Sequence, residues 1–397
     1  MITETKFGSK PIYLDNHATT PVDRRVVDVM MPYFGEKFGN PHSSSHYYGW
    51  EAAEAVEIAR EQIADLIGAK PNEIFFTSGA TESNNTAIKG VARFYKSRRK
   101  HLITCVTEHM CVLDSAFQLE REGFDVTYLH VGVDGLIDLD ELKKAITDQT
   151  ILVSIMTVQN EIGVIQPISE IGAICRENRV FLHTDAAQAV GKITVNVDDM
   201  KVDLLSLTAH KIYGPMGIGA LYVRKTPRVR LEPMFNGGGQ ENGLRSGTLP
   251  PPLCVGLGHA LKIAKVEMAT EALRLKNQRD RMWKNLNREL SGLHLNGTIK
   301  HRVPGNLCIS IEDVDAESLM AALPGMALSS GSACTSASEE SSHVLKALGL
   351  SNEMAEASLR IGLGRFNTDE ELDFATNSLI EAVVKIRKGR KIIAAAE

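Results

Sequence analysis

The chain has 397 residues, of which 44 are lysine or arginine and 49 are aspartate or glutamate, giving a formal net charge of −5. This charge argues against a nucleic-acid-binding surface, and no apolar run approaches the ~20 residues that a membrane-spanning helix needs. The start, MITETKFGSK, lacks the apolar stretch of a signal peptide, and the six scattered cysteines include no CxxC pair. We therefore expect a cytoplasmic protein with no membrane partner, no nucleic-acid partner and no dedicated metal site.

Short apolar runs alternate with helical patterns from about residue 50 to residue 260. The predicted strands are residues 72–76, 101–106, 124–129, 150–158, 179–184, 202–207 and 219–223. Several of these runs are apolar throughout, which is typical of a mostly parallel sheet covered by helices on both faces.

The pattern changes after about residue 260, where a long charged helix (260–290) precedes a further strand (305–311) and two C-terminal helical stretches. The sequence thus predicts an α/β protein with a large domain (16–260) and a smaller α/β domain formed by residues 1–15 and 261–397.

Polar residues follow the predicted strands, at the edge where ligands collect in open α/β sheets. The segment FFTSGATESNN (75–85) carries small residues at a helix start, which favours an anion at Ala80 and Thr81, although a plain Thr-capped helix start reads the same way. His109, Asn160 and Asp185 follow three other strands.

The segment Thr208-Ala209-His210-Lys211 places a lysine directly after another buried strand, with Gln188 close behind Asp185 in the chain. A strand-end lysine ordinarily reaches solvent. An anion site, an enclosed carboxylate, a histidine and a lysine at one edge together suit pyridoxal phosphate, which needs a lysine amine and an acidic partner for its ring nitrogen.

Ten motifs occur in the order found in cysteine desulfurases: YLDNHATTPVD, FGNPHSSSH, FTSGATESNN, TEH, NEIG, HTDAAQ, AHKIYGP, GGGQE, RSGT and SSGSACTS. From Tyr13 to about Thr368 the chain resembles the bacterial-type iron–sulfur-assembly branch of this family. The resemblance implies the pyridoxal-phosphate fold type I of the class V aminotransferase group, with a seven-stranded sheet in the large domain.

The resemblance also implies a role for each motif residue. Lys211 is expected to bind the cofactor covalently, His109 to stack on its ring and move protons, and Asp185 to pair with its ring nitrogen. Gln188 is expected at the ring hydroxyl, and Asn160 and Arg360 at the substrate carboxylate. The remaining assignments are the phosphate ligands Ala80, Thr81, Thr208 and His210, with Thr248 from the partner subunit of a homodimer, and Arg245 near the entrance.

Cys334 lies in ALSSGSACTSASEESS (327–342), whose composition predicts a mobile surface loop. By resemblance its thiolate takes sulfur from L-cysteine, leaving a persulfide on Cys334 and releasing L-alanine. The persulfide would serve an iron–sulfur scaffold protein and other acceptors, including those of tRNA or cofactor thiolation. Cys334 is then also a possible transient iron–sulfur ligand shared with the scaffold.

Three alternatives remain open from the sequence. Selenocysteine lyase activity would use the same scaffold, and another class V enzyme such as a transaminase would need no nucleophilic cysteine. A catalytically silent scaffold subunit is the non-enzymatic alternative, and the intact set of Lys211, Asp185, His109 and Cys334 argues against it. Members of this branch often carry a longer C-terminal tail that docks the scaffold, whereas this chain stops soon after Arg390.

Overall fold

The structure, a computed structural model, describes residues 10–330 and 341–394 of the chain. The strands are β1 (Ile12–Tyr13), β2 (Ile74–Thr77), β3 (His101–Cys105), β4 (Asp125–Leu129), β5 (Thr150–Ser154), β6 (Phe181–Asp185), β7 (Leu204–Thr208), β8 (Gly219–Val223), β9 (Leu293–Leu295), β10 (Asn306–Ile311), β11 (Met326–Ala327), β12 (Ser329–Ser330) and β13 (Ser358–Gly362). The α-helices are α1 (Arg24–Met30), α2 (Pro32–Gly35), α3 (Tyr47–Ile67), α4 (Ala80–Tyr95), α5 (Met110–Arg121), α6 (Leu139–Ala145), α7 (Ile168–Glu177), α8 (Pro251–Glu289), α9 (Ala316–Ala321), α10 (His343–Ala347), α11 (Asn352–Glu356) and α12 (Asp369–Ala394).

The large sheet has seven strands in the order β2-β8-β7-β6-β5-β3-β4. Strand β8 is antiparallel to both of its neighbours, β2 and β7, and the other adjacent pairs are parallel. The predicted seven-stranded, mostly parallel α/β sheet is therefore confirmed, with every predicted strand of this region present.

Helices cover both faces of the large sheet and exclude water from it. One apolar cluster joins the sheet to α3, α7 and the first part of α8, and a second joins the opposite face to α4 and α5. In α4 the apolar side chains Ala87, Ile88 and Val91 are buried as the sequence spacing predicts, whereas Phe94 is 41% exposed. Burial on both faces explains why the strands read as continuous apolar runs.

A second, antiparallel sheet of order β12-β13-β10-β9 packs on α8, α9 and α12 around its own apolar cluster. Strand β1 pairs in parallel with β11, so the N-terminal segment joins this part of the chain. The helix predicted over 260–290 begins already at Pro251, because proline is accommodated in the first turn of a helix and did not end it. The division of the chain into 16–260 and 1–15 plus 261–397 stays a prediction.

No helix within residues 10–330 and 341–394 is long and apolar enough to cross a membrane. Four cysteines are buried small residues, as expected for Cys308 in β10: Cys105, Cys175, Cys254 and Cys308. Cys111 differs, because it is only partly buried and lies in the wall of the cavity described next.

Candidate active site

A cavity of about 600 Å³ opens at the carboxyl edge of the large sheet. Its position follows from strand register, because β6 ends at Asp185 opposite Ser206 of β7, and β7 ends at Thr208 two residues further on. The cavity wall brings together nine residues singled out from the sequence: Ala80, Thr81, His109, Asn160, Asp185, Gln188, Thr208, His210 and Lys211.

One end of the cavity is built from the turn between β2 and α4. Gly79 has φ 153° and ψ −179°, a conformation that is essentially restricted to glycine, and it caps the 16-residue helix α4. The first-turn N–H groups of Ala80 and Thr81 and the positive end of the helix dipole favour an anion here. This geometry supports the anion-site interpretation over that of a plain helix start.

Two further predicted residues lie at the same end. The Thr208 hydroxyl donates to the carbonyl of Ile218 at 3.3 Å, and His210 Nδ1 lies 3.1 Å from the Thr19 hydroxyl. Burial, followed by the charges of Lys211 and Lys192, lowers the pKa of His210 to about 4. His210 is therefore uncharged at neutral pH and would offer an anion a polar group rather than a full charge.

Asp185 is held by two donors. Asn84 Nδ2, in the second turn of α4, donates to Oδ2 at 2.6 Å, and the Ala187 N–H donates to Oδ1 at 2.9 Å. The residue is 5% exposed, so its carboxylate is held away from bulk water and suits a cationic or N–H partner in the cavity. Asn84 belongs to the motif FTSGATESNN, but no role was predicted for it from the sequence.

Lys211 follows β7 in a short 3₁₀ turn, and its amine donates to the carbonyl oxygens of His17 at 2.8 Å and Ala18 at 2.5 Å. Gln188 lies beside it, with Nε2 donating to the same His17 carbonyl at 2.8 Å and Oε1 3.2 Å from His17 Nδ1. The segment His17–Thr19 thus joins Lys211, Gln188 and His210. This segment belongs to the motif YLDNHATTPVD, but no role was predicted for it from the sequence. Its contacts join residues more than 160 positions apart, which no local pattern reveals.

His109 caps α5, and its Nδ1 accepts from the backbone N–H of Cys111 at 3.2 Å. The Cys111 thiol lies 3.1 Å from the same nitrogen, and burial raises the thiol pKa to about 12, so the sulfur keeps its proton. Burial also lowers the pKa of His109, despite the opposing charge of Asp185. A neutral His109 with Nδ1 as acceptor carries its proton on Nε2.

Arg360 lies in β13 of the small sheet, is 1% exposed, and donates from Nη1 to the backbone carbonyl of Asn160 at 3.3 Å. The two residues expected at a substrate carboxylate are therefore adjacent. Arg360 Nη2 also donates to Asp15 Oδ1 at 2.9 Å, an ion pair that the sequence did not predict.

The remaining predicted positions lie apart from the cavity wall or outside the described chain. Thr248 is exposed on the segment between β8 and α8 and is not part of this wall. Arg245 pairs with Glu82 at 2.9 Å, and Glu82 does line the cavity, so Arg245 is at its rim. Cys334 lies outside the described residues, and its role stays a prediction.

Two buried glutamates, Glu108 and Glu161, lie next to residues of the cavity wall. Burial raises the pKa of Glu108 well above its usual value, although Oε1 accepts the Met156 N–H at 2.6 Å. Burial also raises the pKa of Glu161 to about 7, with the Ser342 hydroxyl donating to it at 2.5 Å. Neither was predicted from the sequence, because a glutamate in a motif carries no signal of its burial.

The donor set fits pyridoxal phosphate. The cavity offers a lysine amine, a buried carboxylate held by Asn84, and a helix start bounded by a glycine that leaves room for an anion. Among the described residues there is no group of three or more histidine, cysteine or acidic side chains arranged for a metal ion. The wall thus offers groups that suit a ligand carrying an aldehyde and a phosphate.

A profile of the aminotransferase class-V family matches residues 12–374. The human cysteine desulfurase is 56% identical over 379 residues, covering 96% of this chain and 83% of that protein. The protein named cysteine desulfurase IscS of Rickettsia massiliae is 55% identical over 378 residues, covering 95% of this chain and 92% of that protein. The mitochondrial cysteine desulfurase of Eremothecium gossypii is 56% identical over 381 residues, covering 96% and 78%.

Solved structures show the same architecture. A NifS-like protein superposes with a TM-score of 0.88 at 37% identity, covering 94% of this chain and 99% of that one. A structure described as SspA in complex with cysteine superposes with a TM-score of 0.81 at 41% identity, covering 90% and 100%.

Proposed function

We propose, since this chain belongs to the aminotransferase class-V family and within it to the cysteine desulfurases, that it removes sulfur from L-cysteine and releases L-alanine. The observation that carries the proposal is the single cavity shared by Lys211, Asp185 and His109. A complex of one structural relative with cysteine supports the substrate.

Pyridoxal phosphate, when bound, supplies an aldehyde for an amine and a ring that accepts electrons from the substrate Cα. The Lys211 amine would hold it, and once released from that bond the amine would take the Cα proton. In the structure this amine already sits against two carbonyl oxygens, those of His17 and Ala18, which orient its lone pair and its protons.

Other residues of the cavity wall would orient the cofactor. Asp185, fixed by Asn84, would accept the ring N–H and keep the ring protonated. The N–H groups at the start of α4, with Thr208 and His210, would bind the phosphate. Neutral His109, whose Nδ1 accepts the Cys111 N–H, would face the ring with Nε2 and move protons there.

The substrate carboxylate would lie between Asn160, which lines the cavity, and Arg360, which contacts the Asn160 carbonyl from behind the wall. The Cys334 thiolate would attack the substrate sulfur, so that a sulfur–sulfur bond forms as the carbon–sulfur bond breaks. The electron pair of the broken bond stays with the substrate carbon, which is protonated to give alanine. Cysteine and one enzyme thiol thus become alanine and one enzyme persulfide, with no external oxidant.

A homodimer is part of the proposal. Six large apolar side chains between residues 31 and 50 are more than half exposed: Met31, Phe34, Phe38, Tyr47, Tyr48 and Trp50. An exposed patch of this kind is typical of an interface. A second copy would cover this patch. Thr248, which is not in the cavity wall of its own subunit, would then contact the phosphate in the partner subunit's cavity.

The persulfide would pass to an iron–sulfur scaffold and other sulfur acceptors in a reducing compartment, here the cytoplasm. Relatives named IscS support this assignment.

The test is a turnover assay on purified protein loaded with pyridoxal phosphate. Cysteine with a reductant should give sulfide and alanine in equal amounts. Lys211→Ala should lose the borohydride-fixed pyridoxyl group and the turnover, and Cys334→Ser should keep the visible absorption but stop sulfur release.

Mass spectrometry after cysteine treatment locates the added sulfur. We expect it on the peptide carrying Cys334 and not on the peptide carrying Cys111, whose thiol lies in the cavity wall. Sulfide release that continued at the wild-type rate in Cys334→Ser would contradict the assignment of the nucleophile. A protein that takes up no cofactor would contradict the proposed function as a whole.

A further inference from the structure

Arg360, expected at the substrate carboxylate, already holds a carboxylate that belongs to the chain. Its Nη2 donates to Asp15 Oδ1 at 2.9 Å, and the arginine side chain is 1% exposed while that of Asp15 is 18% exposed. A guanidinium so deeply buried needs a counter-charge, because an unpaired buried cation is strongly destabilising.

The backbone fixes Asp15 at this position. Asp15 forms a parallel bridge with Gly362, two residues beyond Arg360 in β13. The Asn16 N–H donates to the Gly362 carbonyl at 3.2 Å, and the Gly362 N–H donates to the Leu14 carbonyl at 2.7 Å. A Cβ at Gly362 would lie 2.9 Å from the backbone nitrogen of Asn16, so these two segments of the chain approach too closely for a larger residue at position 362. The backbone of Asp15 is therefore held beside β13, within reach of the guanidinium.

The same segment borders the cavity. His17, Ala18 and Thr19 line it, and so does Asn160, whose carbonyl accepts from the other Nη of Arg360. A substrate carboxylate that reached Arg360 would therefore meet the positive charge of Arg360 and the negative charge of Asp15.

We propose that Asp15 is a specificity-determining residue of this site: it is the counter-ion of Arg360 before substrate arrives, and its charge weakens the binding of the substrate carboxylate. This inference rests on the proposed function, because it takes Arg360 as the carboxylate site. The Asp15 charge keeps the ligand-free site stable and restricts it to ligands whose amine also reacts in the cavity. A carboxylate alone gains little from an arginine that is already neutralised.

Asp15→Asn separates the charge of Asp15 from its shape. Asparagine has the same size, and its Oδ1 can still accept from Arg360 Nη2, so the guanidinium stays in place while the competing charge is removed. The probes are L-alanine and ethylamine, which differ only by the carboxylate. Binding is followed by the visible absorption of the cofactor-loaded protein and, independently, by the ligand-induced rise in unfolding temperature.

We expect Asp15→Asn to bind L-alanine roughly tenfold more tightly than the wild type and to bind ethylamine equally well, since only the carboxylate feels the lost repulsion. The ligand-free variant should unfold at a lower temperature than the wild type. Asp28→Asn, which removes an exposed aspartate paired with Arg24, is the charge control and should change neither affinity. If Asp15→Asn does not fold, Asp15→Ser gives the same neutral acceptor in a smaller residue.

Unchanged or weaker alanine binding in the neutral variant would overturn the proposal, as would an equal gain for ethylamine. Arg360→Met distinguishes this failure from failure of the proposed function. If Arg360→Met binds alanine as the wild type does, Arg360 is not the carboxylate site. If alanine binding is lost there, the site is correct and the Asp15 result decides the inference alone.

Discussion

Glu161 offers a prediction in which the free energy can be worked out from the structure. It adjoins Asn160, is 4% exposed, and accepts a hydrogen bond from the Ser342 hydroxyl at 2.5 Å. Burial raises its pKa from 4.5 to about 7, and the hydrogen bond and the charge of Arg360 only partly offset this effect. Glu161→Gln keeps the shape and the acceptor for Ser342 while removing the ionisable group.

The sign follows from proton binding. Between pH 4.5 and about 7 the folded protein keeps the Glu161 proton and the unfolded chain releases it, so stability falls as pH rises. The slope is about 1.36 kcal/mol per pH unit, so the wild type loses on the order of 3 kcal/mol across this window. The glutamine variant does not have this loss.

The assay is urea unfolding of both proteins at equal concentration and at a series of pH values from 4 to 8. The stability of Glu161→Gln minus that of the wild type should rise through the window and level off above pH 7. Glu177→Gln, at an exposed position of α7, is the matched control and should show no such rise. A stability difference that stays constant from pH 4 to pH 7 would refute the reasoning, because it would mean that Glu161 titrates alike in both states.

Two further predictions concern side chains around the cavity. Asn84→Ala removes the 2.6 Å hydrogen bond to Asp185, a contact of the charge-assisted kind, and should weaken cofactor binding by about tenfold in a titration followed by absorption, whereas the exposed Asn72→Ala should not. Burial lowers the pKa of Lys192, which donates to Gln188 at 2.6 Å, to about 7. Below the ordinary lysine pKa of 10.5 the unfolded chain binds a proton at Lys192, whereas the folded protein does not bind it until about pH 7. This difference destabilises the wild type, so Lys192→Met should be more stable at pH 7. Thermal unfolding should show the difference in stability shrinking as pH rises toward 10.

The sequence alone determined the sheet and the chemistry of the cavity. Seven strands could be located because burial on both faces makes each one a continuous apolar run, which is a local signal. Lys211, Asp185 and His109 could be located because they follow such runs, and parallel strands bring their carboxyl ends to one edge. Strand ends were less certain, and the first nine residues of α8 were missed because two prolines open the helix and obscure its periodicity.

The tertiary structure alone decided which side chains hold those residues in place. Asn84 lies 101 residues from Asp185, His17 lies 194 residues from Lys211, and Asp15 lies 345 residues from Arg360. Contacts at such separations depend on which strands, helices and loops folding brings together, which no local pattern records. The same holds for the burial of Glu161, because its raised pKa comes from atoms that folding places around it and not from its neighbours in the chain.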